Sequence, residues 1–351
     1  MKCIYCATDA KLRERTSGMC PACGKPFALE PTKGDLLTDV AFQSAINAES
    51  ATGQVRWGVE HLYYELCRRR WKRRWFFMRY FAGPTVRMDQ ATFDALWSKW
   101  RSAHGEPKGL IVRKPSKPSA RPQESDIGDY SFDRAVICDR ARTVDLLIAN
   151  NFHFENNCAI LSIGGYPEGP FDTVRTMLKR NPKLQVFAIH DATVPGCKLA
   201  HTLASDATWF KGQVAVTDVG LHPAQAGRFR GLYLPGPSLQ IVRPGEGIRP
   251  ADVAWLSEYA LELAAIRPEQ ILKRLFKAIN RREDAAHASA DATSAGGDGG
   301  SSGSSSDADS FAGDAFGGGQ SGGAGGGSSY SDDTSFSADA GDSDGGADSF
   351  G

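Results

Sequence analysis

Four cysteines fall within the first 25 residues, as Cys3-x2-Cys6 and Cys20-x2-Cys23 with 13 residues between the pairs. A C-x2-C turn aims two thiolates at one point, and two such turns complete a tetrahedral sulfur site for zinc. Gly24, directly after the second pair, permits the tight turn that presents backbone amides to the sulfurs. The spacing could also serve redox disulfides, but nothing around it suggests a thioredoxin-like fold. Cys3, Cys6, Cys20 and Cys23 are therefore predicted to hold a structural zinc, with no open coordination position, in a ribbon over residues 1–30. Such ribbons grip nucleic acid or protein with similar ease.

The other cysteines, Cys67, Cys138, Cys158 and Cys197, stand isolated in apolar or helical-looking segments, which suits a reducing compartment. The opening residues lack the apolar run of a secretion signal, and no stretch reaches the roughly 20 apolar residues that span a bilayer. A soluble, cytoplasmic chain without a membrane partner is expected.

A net charge of zero conceals two opposed parts. All 41 lysines and arginines lie at or before Arg282, whereas 13 of the 41 acidic residues follow it, so the body carries an excess of 13 positive charges. With 351 residues, the chain exceeds one average domain. Residues 36–112 read as a helical, winged-helix-like segment, with apolar residues at helical spacing in DVAFQSAI, EHLYYEL and FDALWSKW. A Pro- and Lys-rich linker follows at 113–129. Over 130–245, short apolar runs (AVIC, CAILSIGG, LQVFAIH, QVAVTDVG, GLYLPG) alternate with helical stretches, the pattern of an α/β domain with a parallel sheet.

Two amphipathic helices close the body at 250–282, one across VAWLSEYALELAAI and one opening at Pro268. Residues 283–351 are nearly all Gly, Ser, Asp and Ala, too apolar-poor to offset the entropy of ordering, and are predicted to be disordered. Aromatic residues recur there in DSFAGDAFGG, SSYSDD and TSFSADA. They suit a solubilising tail or an arm that docks on a protein partner or on the body itself. An acidic arm could also compete with nucleic acid for the basic face.

Between residues 54 and 81 the adjacent Tyr63 and Tyr64 precede a dense basic run, Arg68, Arg69, Arg70, Lys72, Arg73 and Arg74, suited to phosphate contacts with DNA. Trp71 and Trp75 can stack on bases or pack. The plain alternative is a solvated helix face with its aromatics in the core. A membrane-surface helix fits less well, because Phe76, Phe77, Tyr80 and Phe81 suit a domain core.

In the α/β domain, AVICDRARTVDLL, LSIGGYPEGPFDTVR and VFAIHDATVPGCKLAHTL stand in order. Asp139 and Asp191, each ending a strand, would meet at the carboxyl edge of the sheet, where such folds place their sites and where two carboxylates can hold Mg²⁺. Residues 54–204 resemble the family of the topoisomerase VI A subunit and its meiotic break-forming relatives, in which a winged helix with a Tyr-Tyr pair precedes a Toprim domain. RWGVEHLYYEL is similar to that family's segment around the nucleophilic tyrosine, and ICDRARTVDLL to its first strand and helix. SIGGYPEGPFDTVR looks like its Gly-Tyr-Pro motif, and IHDATVPGCKLA like its Asp-x-Asp strand.

The resemblance implies a nucleophile at Tyr64 attacking a phosphodiester, with Asp139 and Asp191 holding the metal. Asp139 stands where the family has Glu, and Thr193 occupies the second Asp position, which weakens any Mg²⁺ site and implies a degenerate Toprim-like domain. His190, Asp191, His201, Asp218 and His222 also gather near strand ends and helix starts, with Cys197 and His201 four apart on one helix face, the materials of a second metal or hydrolase centre or of ordinary capping histidines.

Three functions follow as expectations. The first is a zinc-containing DNA-binding protein acting without catalysis in repair, recombination or genome defence. The second is an Mg²⁺-dependent DNA-cleaving enzyme using Tyr64, Asp139 and Asp191. The third is a protein-interaction scaffold.

Overall fold

The computed structural model describes residues 1–15, 17–31, 34–72, 83–86, 88–113, 132–168, 171–237 and 241–294. The two cysteine pairs at the N-terminus sit in two turns that repeat one another at an offset of 17 residues. Lys2 bridges Asp9 as Met19 bridges Pro26. The Cys3 and Cys20 amides donate to the carbonyls of Thr8 and Lys25, and the Ala7 and Gly24 amides return to the carbonyls of Cys3 and Cys20. Each turn needs a left-handed residue after its second cysteine, supplied by Ala7 at φ 58° and Gly24 at φ 66°.

The ribbon is fastened to the helices that follow, α1 (Asp39–Glu49), α2 (Val59–Lys72) and α3 (Gln90–His104). Buried Asp39 accepts the amides of Ala28 at 3.0 Å and Leu29 at 2.8 Å, and lies 3.2 Å from Nε2 of His104. The other His104 nitrogen lies 3.1 Å from the hydroxyl of Tyr5, inside the ribbon. Thr38 caps α1 and Asp89 caps α3 through their side-chain oxygens, satisfying first-turn amides that have no helical partner. Phe42 stacks on Trp100 at 4.7 Å and Tyr63 meets Phe93 edge-on at 5.4 Å, so most of the described aromatics of this segment form its core, while Trp75, Phe76, Phe77, Tyr80 and Phe81 lie outside the described residues. No strand hairpin of the winged-helix kind occurs here among the described residues.

Beyond the linker, β1 (Arg134–Cys138), β2 (Cys158–Ser162), β3 (Gln185–Ile189) and β4 (Val216–Asp218) form one parallel sheet in the order β2-β1-β3-β4. The chain is α/β, as its alternating runs predict. β1 to β3 are buried on both faces, which is why they read as continuous apolar runs rather than alternating ones. One face, with Ala135, Ile137, Leu161, Val186 and Ala188, packs on Leu178 of α6 (Phe171–Arg180) and on Leu199 and Leu203 of α8 (Leu199–Ser205). α4 (Ala141–Ala149) leads from β1, and the single-turn helices α5 (Phe152–Glu155) and α7 (Val194–Cys197) precede β2 and α8.

Two readings shift. GLYLPG contributes only β5 (Leu234–Pro235), which pairs antiparallel with β6 (Tyr259–Ala260) outside the main sheet. That pairing divides the segment read as one helix: α9 (Val253–Glu258) stops before β6, and Leu261 then bridges Ala192. The last helix, α10 (Pro268–Ser294), continues past Arg282, because EDAAHASADATS still holds five alanines with high helix propensity. The rest of the tail, 295–351, lies outside the described residues, as do residues 114–131, which include all of the predicted linker but Arg113.

Candidate functional site

The four thiols of the ribbon converge. Cys3 and Cys23 sulfurs lie 3.6 Å apart, as do those of Cys6 and Cys20, and all four fall within 4.8 Å of one another. Tetrahedral bonds of about 2.3 Å place sulfurs about 3.8 Å apart, so the cluster fits a single ion. Hydrogen bonding with Thr8 holds the Cys6 thiol down to about 6, while, against a backbone hydrogen bond from Lys25, burial and the neighbouring thiols push Cys23 up to about 12, so without an ion the cluster releases one proton readily and holds another. The cluster is compatible with a structural zinc site.

In the sheet domain the strand order fixes a second location. β1 is flanked by β2 on one side and β3 on the other, so their connections diverge at the carboxyl ends of β1 and β3, where open α/β sheets form a crevice. Asp139 follows β1, and His190 and Asp191 follow β3. The Asp191 amide donates to Oδ2 of Asp139 at 2.9 Å, which draws the two predicted aspartates together.

Their remaining oxygens have different fates. Asp191 is buried, with Oδ1 accepting the Leu263 amide at 2.7 Å and Oδ2 facing Arg140 at 3.0 Å and Arg142 at 3.6 Å. Asp139 Oδ1 is buried without a hydrogen-bond partner, and burial, reinforced by the Asp191 charge, pushes this carboxyl up to about 6. Mg²⁺ requires several oxygen ligands in near-octahedral array. Here one carboxylate oxygen is free and two guanidinium groups hold the neighbouring carboxylate, so this pair as arranged does not fit Mg²⁺.

Tyr64 enters the same network from α2. Its ring is buried and its hydroxyl donates to Oε2 of Glu262 at 3.0 Å, while Oε1 of Glu262 pairs with Arg142 at 2.6 Å. Burial, with Glu262 beside it, holds the Tyr64 hydroxyl well above the ordinary tyrosine range, the reverse of what an attacking phenolate needs. Tyr63 points elsewhere, donating to the Met88 carbonyl at 2.7 Å. The three residues predicted as catalytic are therefore linked, through Glu262 and Arg142. Neither linker stands out in the sequence. Arg142 sits within ICDRARTVDLL, in the first turn of α4, but Glu262 is 198 residues from Tyr64 and carries no local signal.

The basic run divides. Arg68 forms ion pairs with Glu65 and, at 3.8 Å, with Glu49, and its guanidinium also donates to the Ala265 carbonyl. Arg69 donates to Glu65 at 2.9 Å and to Ser44 at 3.0 Å. Glu65 is buried and also faces Arg267 at 3.2 Å. These two arginines are thus held inward, sharing Glu65 with Arg267, whereas Arg70 is exposed. Lys72 ends α2, and Arg73 and Arg74 lie outside the described residues. A cleft of about 350 Å³ between the helices and the sheet domain sets Arg101, Arg113 and Arg142 against Glu60, Glu106 and Asp145, so its charge is balanced.

Of the histidine constellation, three members meet. Nε2 of His190 lies 3.0 Å from Oδ1 of Asp218, and Nε2 of His222 lies 3.3 Å from its Oδ2. Burial pulls the His190 imidazolium down, and the Asp218 carboxylate more than restores it. His201 is exposed on α8, and Cys197, buried at the end of α7, does not join them. Comparison with protein-family models, curated proteins and solved structures yields no match for this chain.

Proposed function

We propose that this protein binds DNA without cutting it, through a basic body stiffened at its N-terminus by a zinc ribbon on Cys3, Cys6, Cys20 and Cys23. The observation that carries the proposal is the charge segregation: 41 basic residues against 28 acidic ones up to Arg282, a surplus that attracts phosphate and falls off with salt. The surplus matters more than the predicted run, since Arg68 and Arg69 are held inward on Glu65, and among the described side chains of that run Arg70 is the exposed one. The locked Tyr64 and Asp191 support the non-catalytic form, in which the Toprim-like domain serves as a platform in a repair, recombination or defence assembly.

The test is a fluorescence-anisotropy titration of labelled duplex DNA at two salt concentrations, with Mg²⁺ present and a denaturing gel run on the same samples. Affinity that drops steeply with salt, an Arg70→Ala variant about threefold weaker with unchanged stability, and intact strands are the expected outcome. Mg²⁺-dependent breaks abolished by Tyr64→Phe and Asp191→Asn would establish the cleaving enzyme in its place. Absence of binding at either salt would leave the interaction scaffold.

A further inference from the structure

The His190, Asp218 and His222 cluster stands at the carboxyl ends of β3 and β4, beside the crevice already described, and the fold builds it with care. His190 is fully buried, and its Nδ1 lies 2.8 Å from the Asp191 carbonyl. A carbonyl only accepts, so Nδ1 donates to it; Nε2 faces the Asp218 carboxylate at 3.0 Å, a second acceptor, and without an ion it too carries a hydrogen, which a metal between Nε2 and Asp218 would replace. A backbone carbonyl that holds the hydrogen of one ring nitrogen and leaves the other to the metal is the usual second-sphere partner of a metal-binding histidine.

The surroundings hold the ring in place. A Cβ on Gly220 would fall 2.1 Å from the His190 imidazole, so the chain between Asp218 and His222 passes over the ring only because glycine stands there. The Leu221 amide donates to the His190 carbonyl at 2.9 Å, and the Gly220 amide to Oδ1 of Asp218 at 2.9 Å. His222 is placed by the turn that opens the 3-10 helix Pro223–Phe229, with Gln225 accepting its amide. From α10, Arg274 is anchored on the Gly220 carbonyl and on Gln225, so it supports the loop as well as facing Asp218. Arg249, the other cation near Asp218, is paired with both oxygens of Asp252 at 2.7 and 3.1 Å.

We infer that His190, Asp218 and His222 form a second metal site, which takes a divalent first-row transition ion such as zinc through Nε2, a carboxylate oxygen and Nε2. One ligand atom from each residue lies within 4.8 Å of the others, and the two imidazoles approach the two oxygens of one carboxylate, His190 at 3.0 Å from Oδ1 and His222 at 3.3 Å from Oδ2, near the edge of about 3.3 Å that bonds of 2.0–2.1 Å produce in a tetrahedron. Two imidazoles and one carboxylate select such an ion over Mg²⁺ or Ca²⁺, which prefer oxygen. His222 and Asp218 are 25% and 27% exposed, so the cluster opens to solvent on one side and leaves a coordination position for water or an outside ligand. This distinguishes it from the closed four-thiolate ribbon.

The test uses the full chain with cobalt(II) as the probe, in the absence of DNA, so its result is independent of the DNA-binding proposal. Cobalt at the ribbon absorbs through thiolate-to-metal charge transfer, whereas cobalt at the triad lacks that band. The expected result is a second equivalent of cobalt without thiolate absorption, lost in His222→Ala while the ribbon's band persists. His222→Cys should then bring a new thiolate band at that second equivalent, a gain that misfolding cannot produce. Binding of metal at the ribbon alone in the parent, or a second equivalent unaffected by both substitutions, would overturn the assignment and leave the triad as an imidazolium-carboxylate ion pair.

Discussion

Glu49 shows how one buried carboxyl can set a pH dependence. It is almost wholly buried, Arg68 and Arg267 approach only to 3.8 Å, and its Oε2 has no hydrogen-bond partner. Burial and the Glu65 charge push its carboxyl from 4.5 up to about 8. The folded state then holds this proton more tightly than the unfolded chain does, so Glu49 favours folding least at high pH: stability is lost as pH rises from about 4.5 through about 8. Glu49→Gln is expected to exceed the parent in stability by on the order of 2 kcal/mol near the top of that window and to match it near the bottom, as read by urea unfolding. Nothing in the sequence around Glu49 announces this, because its neighbours Glu65 and Arg267 come from α2 and from the start of α10.

At the scale of elements, the twinned turns of the ribbon invite a simple comparison. Gly24 occupies its left-handed position at no cost, whereas Ala7 carries a Cβ into the same conformation. Ala7→Gly should relieve roughly 1 kcal/mol of backbone strain and slow the release of metal from the ribbon to a chelator. The ribbon is legible in the sequence because the spacing of the cysteines along the chain dictates which thiols can meet. The strands β1 to β3 are equally legible, because burial on both faces writes an unbroken apolar run. The division of 253–266 is not. VAWLSEYALELAAI has helical periodicity throughout, and what stops the helix is the pairing of Tyr259 and Ala260 with Leu234 and Pro235 and of Leu261 with Ala192, partners far away in the chain. The candidate site divides the same way. Asp139 and Asp191 are placed by the ends of their strands, whereas the arginines and Glu262 that occupy them arrive by tertiary contact.

For the whole molecule, the DNA-binding proposal together with the opposed charges of body and tail predicts that the tail competes with phosphate for the basic body. Removing residues 295–351, which hold 10 of the 13 acidic residues beyond Arg282, should tighten DNA binding severalfold at low salt and have little effect at high salt, because salt screens both attractions. Anisotropy titrations of the two forms at matched salt would read the difference.

The chain of contacts from Tyr5 through His104 to Asp39 bears on how any ligand is gauged. Small cysteine-bearing modules joined by loose tethers sample many distances from their neighbours, but this one is bolted to α1 by Asp39 and its amide contacts and to α3 by His104. The cysteine-bearing turns and the helices therefore stand like the fixed jaws of a calliper, and a partner that touched both would be gauged by length as well as by charge.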